Sequence, residues 1–545
     1  MTATDDSTQP HLSGVTGMDQ ERVVHAFEAA EVEKAMPFRQ AVSTFWRGGL
    51  FSMVLSLALV MEGYDTGLLK SFYGQPEFLK KFGSLDPTGK LYIPANWQAA
   101  LSNAVSAGEV LGLLLNGWAS YRFGYKRVYI AAMVAMIASV FIPVFASSLN
   151  MLLAGMVICG VPWGVFQTLT TAYAAEICPM ALRAHLTSFV NICWASGLFI
   201  SACAVRGSLN IHSDLSWRLL YMLQWIWPVP LTIVCLFAPE SPWWLVRNNR
   251  REEAKNSTRR TAPPGFYNQD ELDARIALID HTYELEIKET RKDALLNCFK
   301  GTNLRRLEIC CIVWSVQYWC GQPMTGYSTY FLQNAGLSTS AAFSLSLGNY
   351  SMLIAGTIIV WFFMGRFGRR TIYLIGQALM ATILGTIGIL GCVPQSQGVS
   401  YGIGALMLLL NLTFASTVGP TCYTIVGELP SAQVRAPTIV LARTTYVLSG
   451  IVNAQITPRM LSTGDWNWGA KCGFFFLGTN IISFIYCYFR LPESLGRSYG
   501  ELDILFANGV PARKFTKTLV AEFEEVQGTE VGESKEKEVE IQHVA

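Results

Sequence analysis

The sequence predicts an all-α polytopic membrane protein with twelve transmembrane helices in two pseudo-symmetric six-helix halves. Three observations carry this: apolar blocks of membrane-crossing length, basic clusters in alternate loops, and short motifs that recur in the same order in the second half. Of the 545 residues, 51% are hydrophobic and 15% charged, whereas a soluble globular chain carries about 25% charged residues. The mean hydropathy is +0.32. A hydrocarbon core about 30 Å thick takes about 20 apolar residues per helix.

The spans follow in order. Span 1 starts near Gly48 and ends in the stretch VMEGYDTGLL, 60–69, and span 2 covers 96–118. Block 128–175 has no charge and is split at Ser147-Ser-Leu-Asn150, which makes spans 3 and 4. Spans 5 and 6 are the uncharged stretches 186–205 and 219–238. Blocks 309–365 and 371–427 are each long enough for two helices, giving spans 7 to 10. Span 11 occupies 436–458 and span 12 occupies 472–489. The expected organisation is an N-terminal tail 1–46, a first half 47–238, a central loop 239–306 with short helices, a second half 307–490 and a C-terminal tail 491–545.

The first 46 residues lack an apolar core with a small-residue cleavage site, so no signal peptide is expected. Short cytoplasmic loops collect Lys and Arg. Arg122, Lys126 and Arg127 lie between spans 2 and 3, Arg366, Arg369 and Arg370 between spans 8 and 9, and a charged stretch between spans 6 and 7. Both termini are therefore expected in the cytosol. The loop after span 1, with four Lys, fits this rule less well. Thirteen cysteines scattered mostly through the spans give no disulfide or metal framework. No metal cluster, nucleophile elbow or phosphate loop is legible, so neither enzyme activity nor a cofactor is expected. The net charge of +2 points to no particular partner, and no nucleic-acid partner is expected. The acceptor triplet Asn256-Ser-Thr falls in the loop expected on the cytosolic side.

Internal repeats define the halves. Arg122-Phe-Gly-Tyr-Lys-Arg127 recurs as Arg366-Phe-Gly-Arg-Arg370, an offset of 244 (366 less 122). The segment from Glu176 to Arg183 recurs from Glu428 to Arg435 at an offset of 252, with Glu and Arg seven apart in both copies. Pro239-Glu240-Ser-Pro recurs as Pro492-Glu493-Ser-Leu at an offset of 253. Each repeated element falls at a cytosolic helix end. There a Glu and an Arg from different loops can pair in one conformation and part in the other. The gating candidates are Arg122, Arg127, Glu176, Arg183, Glu240, Arg366, Arg370, Glu428, Arg435 and Glu493.

These motifs, together with Met61-Glu-Gly-Tyr-Asp-Thr-Gly-Leu-Leu69, Gly74-Gln-Pro-Glu-Phe78, Cys159-Gly-Val-Pro-Trp-Gly-Val-Phe-Gln167 and Pro239-Glu-Ser-Pro-Trp-Trp-Leu245, resemble the sugar porter family of the major facilitator superfamily. Within it, they look like the fungal maltose/α-glucoside permeases. The resemblance covers roughly 45–510. It implies the major facilitator fold and uptake of a sugar across the plasma membrane by alternating access, typically as proton symport. A non-transporting sensor of the same fold and a facilitative carrier are the alternatives. The chain departs from the family pattern where loops 2–3 and 8–9 usually carry Asp, which here are Tyr121 and Gly365. Span 4 has Met156 where the family usually has the Arg that partners the span 1 Asp. The positions of hexose-binding amides read Asn191, Leu198, Gln317, Tyr318, Pro323 and Asn349, which leaves room for a larger sugar.

Four charges are expected inside spans: Glu62, Asp65, Glu109 and Arg443. An Asp or Arg at a helix centre costs about 2.5 to 3.5 kcal/mol on insertion scales, so these side chains should face a partner or a wet cavity. Glu62 and Asp65 are three apart on one helix face, and like charges that close favour a shared proton. Asp65 matches the family's proton-binding position. The competing expectation is that both acids merely cap the outer end of span 1. Depth along spans 2 and 11 suggests a Glu109–Arg443 ion pair that closes the inner side. A disaccharide needs amides for its hydroxyls and aromatic faces for its rings. The binding candidates are Gln317, Asn349, Asn191, Gln322, Tyr327, Trp163 and Tyr423, with Trp194 and Trp319 as further stacking surfaces. Gly321 and Pro323 should interrupt span 7 at a moving gate. The charged end of the chain, with Lys535 and Lys537, is a candidate contact for endocytic or ubiquitination machinery.

Overall fold

Among the described residues, eleven helices are long and apolar enough to cross a membrane. The remaining predicted span, span 7, is present in three pieces. The computed structural model describes residues 38–85, 89, 91–177, 180–289, 294–334, 337–363, 366–394, 396–431, 434–462, 465–495, 497, 499–516, 518–519 and 542–543. Gly365, Lys535 and Lys537 lie outside them, as do the side chains of Arg183 and Arg435. Two units emerge, 1–82 with 100–291 and 83–99 with 292–545.

Span 1 runs as Phe38–Ser56 and Ala58–Phe72. Spans 2 to 5 are Ala95–Phe123, Tyr125–Val144, Leu149–Ile177 and Met180–Ser208. Span 6 consists of Leu215–Met222, a 3-10 turn Leu223–Ile226 and Pro228–Phe237. Pro228 lacks an N–H and opens the last piece, which explains the tightened turn before it. The loop between spans 1 and 2 carries helix Pro76–Phe82 and a short antiparallel pairing of Ser84–Leu85 with Leu91–Tyr92. Three helices of the central loop, Pro242–Arg247, Arg251–Thr261 and Gln269–Glu289, belong to the first unit.

Small residues set the spacing inside the first unit. A Cβ on Gly63 would lie 2.1 Å from the carbonyl oxygen of Trp194, and one on Gly197 would lie 2.2 Å from that of Val60. Spans 1 and 5 therefore cross backbone to backbone. Spans 2 and 4 do the same, since a Cβ on Gly108 would lie 2.2 Å from Val157 O and one on Gly164 would lie 2.1 Å from Glu109 O. With no hydrophobic drive between helices in lipid, such close van der Waals crossings supply the association. They bring the acidic stretch of span 1 into the helix packing of its unit.

In the second unit, span 7 is Gly301–Trp319, Gln322–Gly326 and Ser328–Asn334. The predicted interruption is present: Gly321 has φ +93°, a left-handed conformation that favours glycine, and Pro323 follows. Backbone freed in a membrane helix must be satisfied by neighbours. Asn349 Nδ2 on span 8 donates to Thr325 O at 3.1 Å, and Asn411 Nδ2 on span 10 donates to Asn349 O at 3.2 Å. Spans 8 and 9 are Thr339–Phe363 and Arg369–Leu390, span 10 is Gln397–Ser416 with Val418–Glu428, and spans 11 and 12 are Arg435–Leu461 and Cys472–Arg490.

The stretch after span 12 differs from a simple tail. Helix Tyr499–Ala507 and the turn Ala512–Lys514 follow, with Leu502, Leu505, Phe506, Val510 and Phe515 buried. Arg306 at the start of span 7 donates to Leu502 O and Leu429 O and lies 4.4 Å from the Phe506 ring. Apolar residues spaced three and four apart supply the folding face here; the Glu-rich run lies beyond the described part.

Candidate functional site

The acids of span 1 are interior. Glu62 and Asp65 are 5% and 2% exposed, and their helix continues to Phe72, so they do not cap its end. Glu62 Oε1 accepts a hydrogen bond from Gln167 Nε2 of span 4 at 2.7 Å. Asp65 Oδ1 accepts one from Gln224 Nε2 of span 6. Met156, where an arginine was expected from the resemblance, is buried and uncharged. Neither amide was singled out from the sequence for a site role. The signal was present, because Gln224 is the sole amide in the uncharged stretch 219–238.

The expected count of four intramembrane charges needs correcting. Lys70, assigned with the loop after span 1, sits inside helix Ala58–Phe72. It lies within electrostatic reach of Glu109. Lys70 is thus a further cation on the spanning helix that carries Glu62 and Asp65. Arg443 stacks within its own unit, 4.7 Å from the Trp314 ring and 4.6 Å from that of Tyr446. Each member of the expected Glu109–Arg443 pair thus has an interaction inside its own unit.

The second unit gathers uncharged polar groups around the break in span 7. Thr325 Oγ1 donates to Asn411 Oδ1 at 3.2 Å, and the Ser328 and Thr329 hydroxyls both meet Ser346 Oγ, at 2.9 and 2.7 Å. Gln317 is buried and its side chain meets Cys422, while Asn349 Oδ1 is buried with no hydrogen-bond partner among the described residues. An unpaired buried amide oxygen is costly, so Asn349 is poised for a polar ligand. Gln322 and Asn191 are half-buried, Tyr327 is buried, and Trp194 and Trp319 are half-buried. Trp163 is fully buried, which leaves no open ring face for stacking in this conformation. Tyr423 is exposed and meets Trp314 edge-on at 4.9 Å. Asn411 and Thr325 were missed because isolated polar residues in an apolar run carry no periodic signal.

The repeated motifs fold into two matching brackets. In the first, Glu240 Oε1 accepts from Tyr125 N at 3.0 Å and Ser241 N at 3.1 Å, and its Oε2 accepts from Lys126 N at 3.2 Å. Glu176 accepts from Tyr125 Oη at 2.8 Å and from the Ser241 hydroxyl. In the second, Glu493 Oε1 accepts from Arg369 N at 2.7 Å and Ser494 N at 3.2 Å, while Glu428 pairs with Arg369 Nη2 at 3.2 Å and accepts from Ser494 Oγ at 2.6 Å. Glu240 and Glu493 satisfy orphan N–H groups at the N-termini of spans 3 and 9, where the helix dipole favours negative charge. Gly124 and Gly368 precede those spans, and a Cβ there would lie 2.7 and 2.0 Å from Oε2 of Glu240 and Glu493. Burial pushes the Glu240 carboxyl up, opposed by the three backbone N–H groups.

Several gating candidates stand elsewhere. Arg122, Arg127 and Arg366 are exposed. Arg370 donates to Tyr488 O at 2.8 Å rather than to a carboxylate. The residues that do the joining are Tyr125 and Arg369, which occupy equivalent positions in the repeat, so one bracket uses a phenol where the other uses a guanidinium.

A sequence model described as "Sugar (and other) transporter" matches residues 51–506. The general alpha-glucoside permease of Saccharomyces cerevisiae (strain ATCC 204508 / S288c) is 40% identical over 521 residues, covering 94% of this chain and 84% of that relative. Maltose permease MAL31 of the same strain is 40% identical over 509 residues, covering 92% of this chain and 83% of the relative. Among solved structures, the proton:xylose symporter XylE bound to 6-bromo-6-deoxy-D-glucose superposes with a TM-score of 0.67 at 19% identity, covering 84% of this chain and 98% of that one. The inward open form of XylE from E. coli gives 0.62 at 18% identity, over 83% and 98%. This likeness carries the major facilitator fold.

Proposed function

Because the chain belongs to the sugar transporter family and is a multi-pass membrane sugar transporter with no enzymatic role, we propose that it imports an α-glucoside of the maltose type together with protons. The 40% identity to an alpha-glucoside permease, spread over 94% of the chain, carries the choice of substrate. The polar set at the break in span 7, with the unpaired amide oxygen of Asn349 beside it, supports a ligand rich in hydroxyls. Buried Asp65, held by a neutral amide rather than a cation, supports proton coupling. In this reading the protein works in the plasma membrane with both termini cytosolic. The brackets of Glu176 and Glu428 then hold the cytosolic ends of each half and loosen when the site opens inward. Ubiquitination machinery acting at the charged tail is part of the same proposal.

Facilitative carriage is the second reading, favoured by the uncharged Met156. The test is uptake of labelled maltose, sucrose, trehalose and isomaltose by a yeast lacking its own permeases, with and without a protonophore. Proton symport of α-glucosides gives uptake of maltose-type sugars that alkalinises a weakly buffered medium and stops with the protonophore. Uptake indifferent to the protonophore assigns a facilitative carrier. Binding with no uptake assigns a sensor.

A further inference from the structure

Asp65 and Gln224 form an incomplete pair. Gln224 Nε2 donates to Asp65 Oδ1, yet Asp65 Oδ2 and Gln224 Oε1 are buried acceptors with no donor among the described residues. A carboxylate has only acceptors and an amide carries one acceptor with two donors. A single proton on Asp65 Oδ2 supplies the donor that this pair lacks, through an O–H that Gln224 Oε1 can accept. The backbone supports a dedicated placement of this side chain. Gln224 lies in the 3-10 turn Leu223–Ile226 ahead of Pro228, and a short 3-10 stretch within a helix often marks a functional hinge.

We propose that Gln224 is the positioning residue for the transported proton: its amide N–H holds Asp65 when ionised and its carbonyl receives the acid when protonated. The inference rests on the proton-symport reading. Its chemistry follows from the contrast with a cation. Arginine has only donors and favours the ionised acid, whereas an apolar neighbour favours the neutral acid by leaving the charge unsolvated. An amide serves both forms, so the proton can be taken up and released within one cycle. The titratable groups facing Asp65 are Tyr64 on its own helix, Cys159 on span 4 and Tyr221 on span 6, with Glu62 one turn earlier tied to Gln167. None of these is a cation.

Two substitutions should displace the system in opposite directions. Gln224→Lys supplies donors without an acceptor, and Gln224→Met supplies neither. Initial uptake of labelled maltose is measured against external pH, normalised to surface protein, alongside exchange of labelled for unlabelled sugar at equilibrium. The pH of half-maximal uptake should move to the acid side by about 1 to 3 units in Gln224→Lys, the range expected for a new opposite charge. It should move to the alkaline side in Gln224→Met, with uphill accumulation lost and exchange retained. Profiles that coincide with the unsubstituted protein, or that move the same way in both variants, overturn the role of Gln224. Uptake by the unsubstituted protein that ignores pH overturns the symport reading instead. If either variant fails to reach the membrane, infrared difference spectra of the unsubstituted protein against Asp65→Asn decide. A protonated carboxyl band that appears on acidification and is absent from Asp65→Asn supports the proposal, and its absence across the titration contradicts it.

Discussion

The backbone-to-backbone crossing of spans 1 and 5 predicts opposite outcomes for two alanines. In Gly63→Ala the new Cβ would start 2.1 Å from Trp194 O and 2.9 Å from Trp194 C. Ordinary C···O approach is about 3.3 Å or more, so the helices must part by about 1 Å. Separation on that scale forfeits a quarter to a half of each dispersion contact along the seam. Overpacking of this kind costs about 1 to 3 kcal/mol. Gly207 provides the control, because it lies in the same span 5 helix and a Cβ there meets nothing within 4 Å. Gly207→Ala should stabilise by about 0.4 to 1 kcal/mol by restricting the unfolded chain. The assay is the melting profile of detergent-solubilised protein followed by size-exclusion fluorescence, with maltose uptake measured in parallel. Gly63→Ala should melt lower than the parent, Gly207→Ala no lower, and only the first should lose uptake as Glu62 and Asp65 shift from Gln167 and Gln224. Equal melting of the two variants refutes the crossing.

The other expectations concern single groups. Lys70→Met takes away the cation near half-buried Glu109 and should cut uptake about tenfold or more, and Glu109→Gln in the same chain should restore part of it, since it removes the charge left without compensation. Asn349→Leu and Asn411→Leu each break a tie across the span 7 break and should destabilise by about 1 to 3 kcal/mol, but only Asn349→Leu should also raise the KM for sugar. Burial raises Glu240 above its ordinary 4.5, so the native state loses stability as pH rises from that value through the raised one. Glu240→Gln removes this dependence, and its melting temperature should fall less than the parent's as pH rises from 4.5.

The fold was legible because lipid imposes a simple rule: long uncharged runs must close their own backbone bonds as helices. The repeats were legible for a related reason, since the carboxylates that seat the starts of spans 3 and 9 recur at one offset. Side-chain choice inside the brackets was not. Conspicuous arginines at 122, 127 and 366 are exposed, while Tyr125 and Arg369 join the loops, because helix phase decides which residue turns inward. Charge marked Glu62, Asp65 and Glu109 as costly and hence purposeful. The same logic passed over Lys70, which was placed beyond the helix end, and over Gln167 and Gln224. A neutral amide carries no charge to mark it in an apolar run, so only its partner reveals its role. Gly321 announced the break in span 7, but the span 8 amide that bonds the broken backbone, and the span 10 amide that meets Thr325 Oγ1 and Asn349 O behind it, required the third dimension.

Protein purified into sealed vesicles, with the lumen made alkaline relative to an acidic bath, tests the central claim most directly. Labelled maltose should concentrate inside well above the bath, drain when a protonophore is added, and merely equilibrate in Asp65→Asn. Accumulation of the same extent without a pH difference, or undiminished in Asp65→Asn, would contradict a proton path through span 1.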